Sequence, residues 1–565
     1  MNFLTAHFCC KHTITQKIMA GLAILASLIV FTLLIRNSSM LAASHAKSIA
    51  PLVPIIPDTI ADTKGAKAPE VTPQMLVLGK EIYAKQCSSC HGPEGKGDGT
   101  AAYILLPKPR NLTSKSFRLT SNLEGKVAVE DIFQTITRGM PGSAMPSWEI
   151  LSEEDRWAVS HYIKSLGRPD MKPATPMEIV QEPPMSTESV AHGRQLFLQS
   201  CVACHGVDAH GDGTQEQFDT DGYPTRPRDL TFGIFKGGRE STNLYHRLAA
   251  GMPGSPMPSN LSTMKPADIW DLVHYVQGLS DSSAQSRNQN ILKTVVAKPC
   301  TGAPLDDPKD PRWQQVDTTY LALMPLWWRN NRTEGVSVRA THDGTNLYIC
   351  ISWEDQTANS EQLVSQSFRD GVAVQLTGDA EPPFLGMGQK DASDVRIWYW
   401  KADRQKDAAG RQDVQNAHPE MYVATYPCDK KDPAASEKMG VDYGGQSDAK
   451  SLDVTRFDPK FITGLGAGNL VSSVNNSCAE SLSAQGFGTL GTRPSNDRGV
   501  SASGDWEKSI YRVVFKRPLI QEGNAALNLV EGKSYFIAFA CWDGNAGDRN
   551  GQKNVTIWHR FQVKK

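Results

Sequence analysis

GKEIYAKQCSSCHGPEGKGDGT (79–100) returns further along the chain as HGRQLFLQSCVACHGVDAHGDGT (192–214), and the reading of this pair decides the fold of the first half. Three more blocks follow in the same order. PRNLT (109–113) matches PRDLT (227–231), RGMPGSAMPSW (138–148) matches AGMPGSPMPSN (250–260), and DRWAVSHYIKSL (155–166) matches DIWDLVHYVQGL (268–279). The offsets stay between 112 and 118 residues (227 − 109 = 118, 250 − 138 = 112), so these are duplicated domains. Each copy runs from an amphipathic stretch through Cys-x-x-Cys-His and a Gly/Pro-rich section to a final helical pattern, which predicts two small all-α domains over 71–170 and 189–281. Segments 171–188 and 282–299 carry Pro, Ser and Gln without apolar periodicity and read as linkers.

Two thiols at this spacing, followed at once by a histidine, are what covalent haem c attachment requires: thioether bonds to two vinyl groups and an imidazole on the iron. Cys87 and Cys90 with His91, and Cys201 and Cys204 with His205, supply two such sets. The opposite axial ligand has to come from well downstream, and a thioether there raises the reduction potential. Met140 or Met145, and Met252 or Met257, offer it. His161 and His274 sit at matching helix positions and read as packed helix-face residues, with bis-His ligation as the alternative. With both axial positions filled by protein, such an iron passes electrons and has no open site.

The copies resemble class I cytochromes c, whose distal ligand commonly lies in a Met-Pro pair near the end of the domain. The resemblance favours Met145 and Met257, although Met140 and Met252 are also followed by proline.

Beyond about residue 300 the texture changes. VSVRATHDGTNLYICISWED, DGVAVQL, VRIWYW, IYRVVF, SYFIAFACW and VTIWHRFQV are short β-branched and aromatic runs separated by turns such as His342-Asp343-Gly344. They predict an antiparallel β-sandwich over 300–565, with His342 exposed in a hairpin turn. The Gly/Ser/Asp-rich insertions 429–455 and 465–504 read as loops, bordered by Cys428 and Cys478, which could pair. Cys350 and Cys541 read as small core residues.

FRDGVAVQL (368–376), PPFLGMGQKDASDVRIWYWKAD (382–403) and FIAFACWDGNAGDRNGQKNVTIWHRFQV (536–563) resemble the haem-b subunit of ethylbenzene dehydrogenase and related γ-type subunits of periplasmic molybdoenzymes. The resemblance implies one noncovalent haem b held between a methionine and a lysine. Carried over, these are Met387, whose flanking glycines would let a flat ring approach, and Lys553, which must be neutral to bind metal. Lys390 and Lys401 are alternatives for the lysine, and His342, His418 and His559 are substitutes. The family further implies a γ-like electron-transfer subunit rather than an enzyme. Its partners would be a molybdopterin catalytic subunit, an iron–sulfur subunit, and a soluble cytochrome c or terminal oxidase, with nitrite oxidoreductase the preferred type.

At the other end, residues 18–35 (IMAGLAILASLIVFTLLI) are free of charge and as a helix span about 27 Å, roughly a hydrocarbon core. They read as a transmembrane anchor behind a cytoplasmic tail (1–17), with a cleaved signal peptide as the alternative. Covalent haem attachment takes place outside the cytoplasmic membrane, so everything after this stretch is expected on the periplasmic side, tethered by the Ala/Pro/Ser/Thr-rich segment 36–70. Fifty-nine Lys and Arg against 60 Asp and Glu give a net charge of −1, which leaves no basic excess for nucleic acid.

Overall fold

The computed structural model describes residues 67–114, 116–166, 175–302, 304–362, 364–389, 394–409, 478–493, 499–521 and 527–565. The tail, the anchor stretch and most of the 36–70 tether lie outside these residues, as do Lys390, His418 and Cys428. Among the described residues, no helix is long and apolar enough to cross a membrane.

The two repeats fold alike. In the first, helix α1 (Pro73–Gln86) runs into the single turn α2 (Ser88–His91), and α3 (Val129–Arg138) and α4 (Glu153–Ser165) follow. In the second, α5 (Thr187–Ser200), α6 (Val202–His205), α7 (Ser241–Ala250) and α8 (Pro266–Gln277) take the same places, with a two-strand ribbon of β1 (Gln217–Phe218) and β2 (Pro224–Thr225) inserted before α7. The helix starts are written locally. Thr72 caps α1 with Pro73 at its first position, Ser152 caps α4 ahead of three acidic residues, and Ser186 and Ser189 form a reciprocal capping box on α5.

In each repeat the first and last helices cross at a glycine. A Cβ on Gly79 would fall on the Ala158 carbonyl, and one on Gly193 on the Asp271 carbonyl. The crossing is flanked by Tyr83 against Tyr162 and by Phe197 against Tyr275, both with ring centroids 5.3 Å apart. Glycine is needed here for close approach, because the neighbour is backbone and cannot swing aside.

Segment 282–299 is not a linker. It holds helix α9 (Ser282–Asn288) and strand β3 (Thr294–Pro299), so the β domain begins before residue 300. Strands β4 (Thr318–Ala322), β5 (Met324–Pro325), β6 (Gly335–His342), β7 (Asn346–Glu354), β8 (Gly371–Thr377) and β9 (Val395–Lys401) come next, and helix α10 (Ala402–Ala409) follows β9. The remaining strands are β10 (Ala479–Ala484), β11 (Gly491–Thr492), β12 (Ser501–Glu507), β13 (Ile510–Pro518), β14 (Ser534–Trp542), β15 (Asn554–Val555) and β16 (His559–Val563).

The expected pair of antiparallel sheets is instead one hydrogen-bonded path, β11-β10-β9-β8-β14-β16-β3-β6-β7-β13-β12, doubled back on itself. Its hinge is β3, which pairs in parallel with β16 on one side and β6 on the other. The halves meet face to face in one core, with Val372, Val374, Trp398, Ile537 and Phe539 against Val336, Val338, Ile349, Ile351 and Phe515. Strand β10 lies in a span expected as loop. AESLSA is poor in β-branched residues, and pairing with β9 over six residues overrides that weak propensity. His342 is buried, not exposed: it ends β6 and its Nε2 meets the Lys564 carbonyl at 2.7 Å. Cys350 and Cys541 are core residues.

Replacing Gly79 with alanine should destabilise the first repeat by about 3 kcal/mol, the upper end of overpacking costs, since the obstacle is a main-chain carbonyl. Denaturant unfolding of the variant with an unchanged midpoint would refute the crossing.

Candidate cofactor cavity

In each repeat one helical turn presents both thiols and the imidazole. His91 N donates to Cys87 O at 2.9 Å and Cys90 N to the same carbonyl at 3.2 Å, and His205 and Cys204 repeat both distances on Cys201. Gly92 and Gly206 close these turns at φ 80° and 77°, a backbone region that glycine enters without penalty. The His91 Nδ1–H donates to the Arg110 carbonyl at 2.9 Å, which leaves Nε2 as the ring's lone-pair nitrogen. Among the described residues the Nδ1 of His205 has no such partner. Burial lowers the pKa of both imidazoles, that of His205 to about 4, so both are neutral and able to ligate.

The Met-Pro segments are matching loops. Met140 N donates to Met145 O at 2.9 Å and Met252 N to Met257 O at 3.1 Å, while Ser143 and Ser255 hydroxyls bond the Met140 and Met252 carbonyls at 2.7 and 2.8 Å. All four methionines line the cavity described below, and Met145 also packs against the cluster that includes Cys87. His161 and His274 are not in its lining. His274 is fully buried with Nδ1 2.9 Å from the Ser189 hydroxyl.

The two repeats exchange equivalent contacts across a pseudo-two-fold interface. The Arg228 guanidinium packs on Gly142 of the first Met-Pro loop, and the Arg110 guanidinium packs on Gly254 of the second. Near the end of α3, Arg138 donates to Gly237 O at 2.9 Å and pairs with Glu240. Near the end of α7, Arg247 donates to Arg118 O at 3.1 Å and to Thr120 O. Arg118 pairs with Asp219 at 2.9 Å.

In the β domain the period of two separates core from cavity. Along β14, Ile537, Phe539 and Cys541 enter the core, while Ala538, Ala540 and Trp542 face the other way, and on β8 Val372 and Val374 alternate with Ala373. The outward alanines leave space above the sheet. Met387 stands at the edge of that space with φ 68°, an uncommon region for a non-glycine residue. Its loop is held by Gly486 N donating to Met387 O at 2.8 Å and by the Trp558 indole donating to Pro383 O at 2.9 Å. Of the glycines beside Met387, Gly386 lines the cavity, where a Cβ would meet the Phe384 and Phe487 rings, and Gly388 abuts the Ala484 carbonyl.

Lys553 and Lys401 both line the cavity but differ in their partners. Burial lowers the pKa of Lys401, and Glu480 at 2.8 Å opposes that shift by charge and hydrogen bond. Lys553 lies 4.7 Å from the centre of the Trp542 ring, has no carboxylate partner among the described residues, and burial pulls its pKa down to about 8. Of the two, it is the lysine with no carboxylate beside it to favour the charged form. His342 and His559 are buried outside the lining, His559 Nδ1 accepting from Lys293 N at 3.2 Å.

The three donor sets open on one continuous cavity of about 1160 Å³ with largely apolar walls. Ile150 belongs to the partition between the first repeat and the β domain, packing both against the first repeat's core and against the cluster that Met387 also packs on. Leu106 clamps the same junction as a bridge to the β domain, donating to Leu326 O at 2.9 Å and accepting from Trp328 N at 2.8 Å, while Leu326 N bonds Lys553 O at 2.9 Å. None of these partition residues was legible beforehand. The arginines of the Pro-Arg repeats could have been flagged by their duplication, whereas Ile150 and Leu106 carry no signal short of the docked domains.

Replacing Arg247 with alanine should weaken the interface between repeats by about 2 kcal/mol, the loss of charged hydrogen bonds. Amide exchange at 116–121 and 234–240 would then quicken roughly 30-fold, and unchanged protection would refute the interface.

Comparison with known proteins agrees with this division. The profile of the cytochrome c family matches residues 76–167 and 190–280, and that of the ethylbenzene dehydrogenase family matches 310–554. A cbb3-type cytochrome c oxidase subunit CcoP of Rubrivivax gelatinosus is 28% identical over 43% of this chain, which spans 66% of that relative's length. The chlorate reductase subunit gamma of Ideonella dechloratans is 23% identical over 45% of this chain and 78% of its own. A putative respiratory nitrate reductase heme subunit of Haloferax mediterranei is 21% identical over 47% and 75%. The two repeats thus match the cytochrome c family and the β domain matches the ethylbenzene dehydrogenase family.

Proposed function

We propose that the chain is a three-haem electron conduit, a γ-like subunit of a periplasmic molybdenum oxidoreductase, and is not itself the catalytic subunit. The observation that carries this reading is the single cavity onto which all three donor sets open. Haem supplies reversible one-electron chemistry, and the chain's residues hold, orient and insulate it. Cys87, Cys90, Cys201 and Cys204 would anchor two haems c, with His91, Met145, His205 and Met257 as the donors that would hold their iron. Met387 and Lys553 would hold one haem b.

Packing supports an order of transfer: Ile150 joins the β-domain site to the first repeat, and the reciprocal Met-Pro loops join the first repeat to the second. Electrons would pass between an iron–sulfur subunit and the β domain at one end, and between the second repeat and a soluble cytochrome c or terminal oxidase at the other. The names of the two relatives from chlorate and nitrate reduction favour a molybdopterin partner. We take nitrite oxidoreductase as the complex type, anchored on the periplasmic side of the membrane through residues 18–35, which lie outside the described residues.

A pyridine haemochrome assay on the purified chain should return one haem b for every two haems c. Met387→Ala, Lys553→Ala, and Ala540→Phe, which fills the cavity side of β14, should each abolish most of the haem b and leave the haem c content unchanged, while Lys401→Ala keeps it. Haem c alone in the unaltered protein would sink the proposal. Substantial carbon monoxide binding to the reduced protein would contradict full axial ligation.

A further inference from the structure

Three aspartates converge at one end of the doubled sheet, and none of them lines the cavity described above. Asp355 follows β7, Asp370 precedes β8 and Asp543 follows β14. Each turns a carboxylate oxygen to within 4.8 Å of the other two. Asp355 is 4% exposed, Asp370 is fully buried and Asp543 is half-buried. Buried charges of one sign persist only with a counter-charge. Among the described residues no lysine or arginine forms an ion pair with any of the three. Arg329, whose field reaches Asp543, spends its hydrogen bonds on Asp548, Gly547 O and Gln552.

A second observation comes from hydrogen bonding. Both Asp370 oxygens are held, by Gly544 N at 2.8 Å and Asn359 N at 2.6 Å, and Asp543 Oδ1 accepts from Ala546 N at 2.9 Å. Asp355 Oδ1 accepts from Thr357 N at 3.1 Å, but its Oδ2 is buried with no partner. The Trp353 indole N–H faces this carboxylate without closing a hydrogen bond. An unpartnered carboxylate oxygen in the interior, beside two further carboxylates, lacks a positive centre.

We propose that Asp355, Asp370 and Asp543 bind a divalent cation of the calcium class. Calcium takes oxygen ligands at about 2.3–2.6 Å in irregular geometry, so oxygens on opposite sides of the ion can stand nearly 5 Å apart. Thr357 and Asn359 add two side-chain oxygens in the turn after Asp355, bonded to each other at 2.8 Å. The ion ties β7 of one half of the sheet to β8 and β14 of the other. It also fixes the start of the 543–553 loop, which leads from Trp542 to Lys553 and walls the β-domain cavity. The site stands whether or not that cavity holds haem b.

The full chain, stripped with a chelator and titrated with calcium chloride, should retain about one calcium per chain by elemental analysis. Terbium added in place of calcium should luminesce through Trp353 and Tyr511, stacked at 4.8 Å, and be displaced by calcium. Chelation should lower the melting temperature of the β domain by roughly 5–10 °C, and calcium but not magnesium should restore it. Asp543→Asn, at the most exposed of the three positions, should weaken binding at least tenfold with the haem c spectra unchanged; it decides the matter even if Asp370→Asn fails to fold. No bound metal, no terbium emission and an unmoved melting temperature would overturn the site. So would wild-type binding by Asp543→Asn, and equal restoration by magnesium would overturn the calcium assignment.

Discussion

Arg247 of the second cytochrome c repeat reaches across to the carbonyls of Arg118 and Thr120 in the first, and Arg138 makes the return contact to Gly237 and Glu240. The placement of the cofactor sites depends on this exchange. A guanidinium has five donors in a fixed fork, so it can satisfy several carbonyls at once and set the angle between two domains. With that angle set, Arg110 and Arg228 come to lie on the partner repeat's Met-Pro loop, and the two thiol–imidazole turns share one cavity.

The β domain uses the same economy. A strand with its large residues on one face and alanines on the other closes a core and opens a space with a single stretch of sequence, as Ile537, Phe539 and Cys541 alternate with Ala538 and Ala540. Polar groups at the rim follow from desolvation. Burial lowers the pKa of both lysines, but Glu480 opposes it at Lys401, whereas Lys553 has only the Trp542 ring beside it. A single carboxylate thus sets apart two lysines on one cavity.

Docking supplies the continuity between sites. Ile150 belongs to two clusters at once, and Leu106 completes a backbone bridge whose next hydrogen bond is to the residue proposed to ligate iron. Movement of the first repeat would therefore disturb the β-domain site directly.

Cys87, Cys90, His91 and their copies, the Met-Pro loops and the first and last helices of each repeat were legible in the chain because each is a local motif, whereas the helices Val129–Arg138 and Ser241–Ala250 lie in a section that read as irregular. Most strands of the β domain were legible for the same reason, since alternation is written residue by residue. The parallel hinge at β3, the strand β10 and the burial of His342 were not, because long-range pairing overrides weak local preference there. The carboxylate partner that sets Lys401 apart from Lys553, the juxtaposition of the two Met-Pro loops, and the meeting of Asp355, Asp370 and Asp543 belong to tertiary structure alone. Charge state, cavity and cluster all depend on neighbours distant in sequence, and no local pattern encodes which neighbours folding will bring.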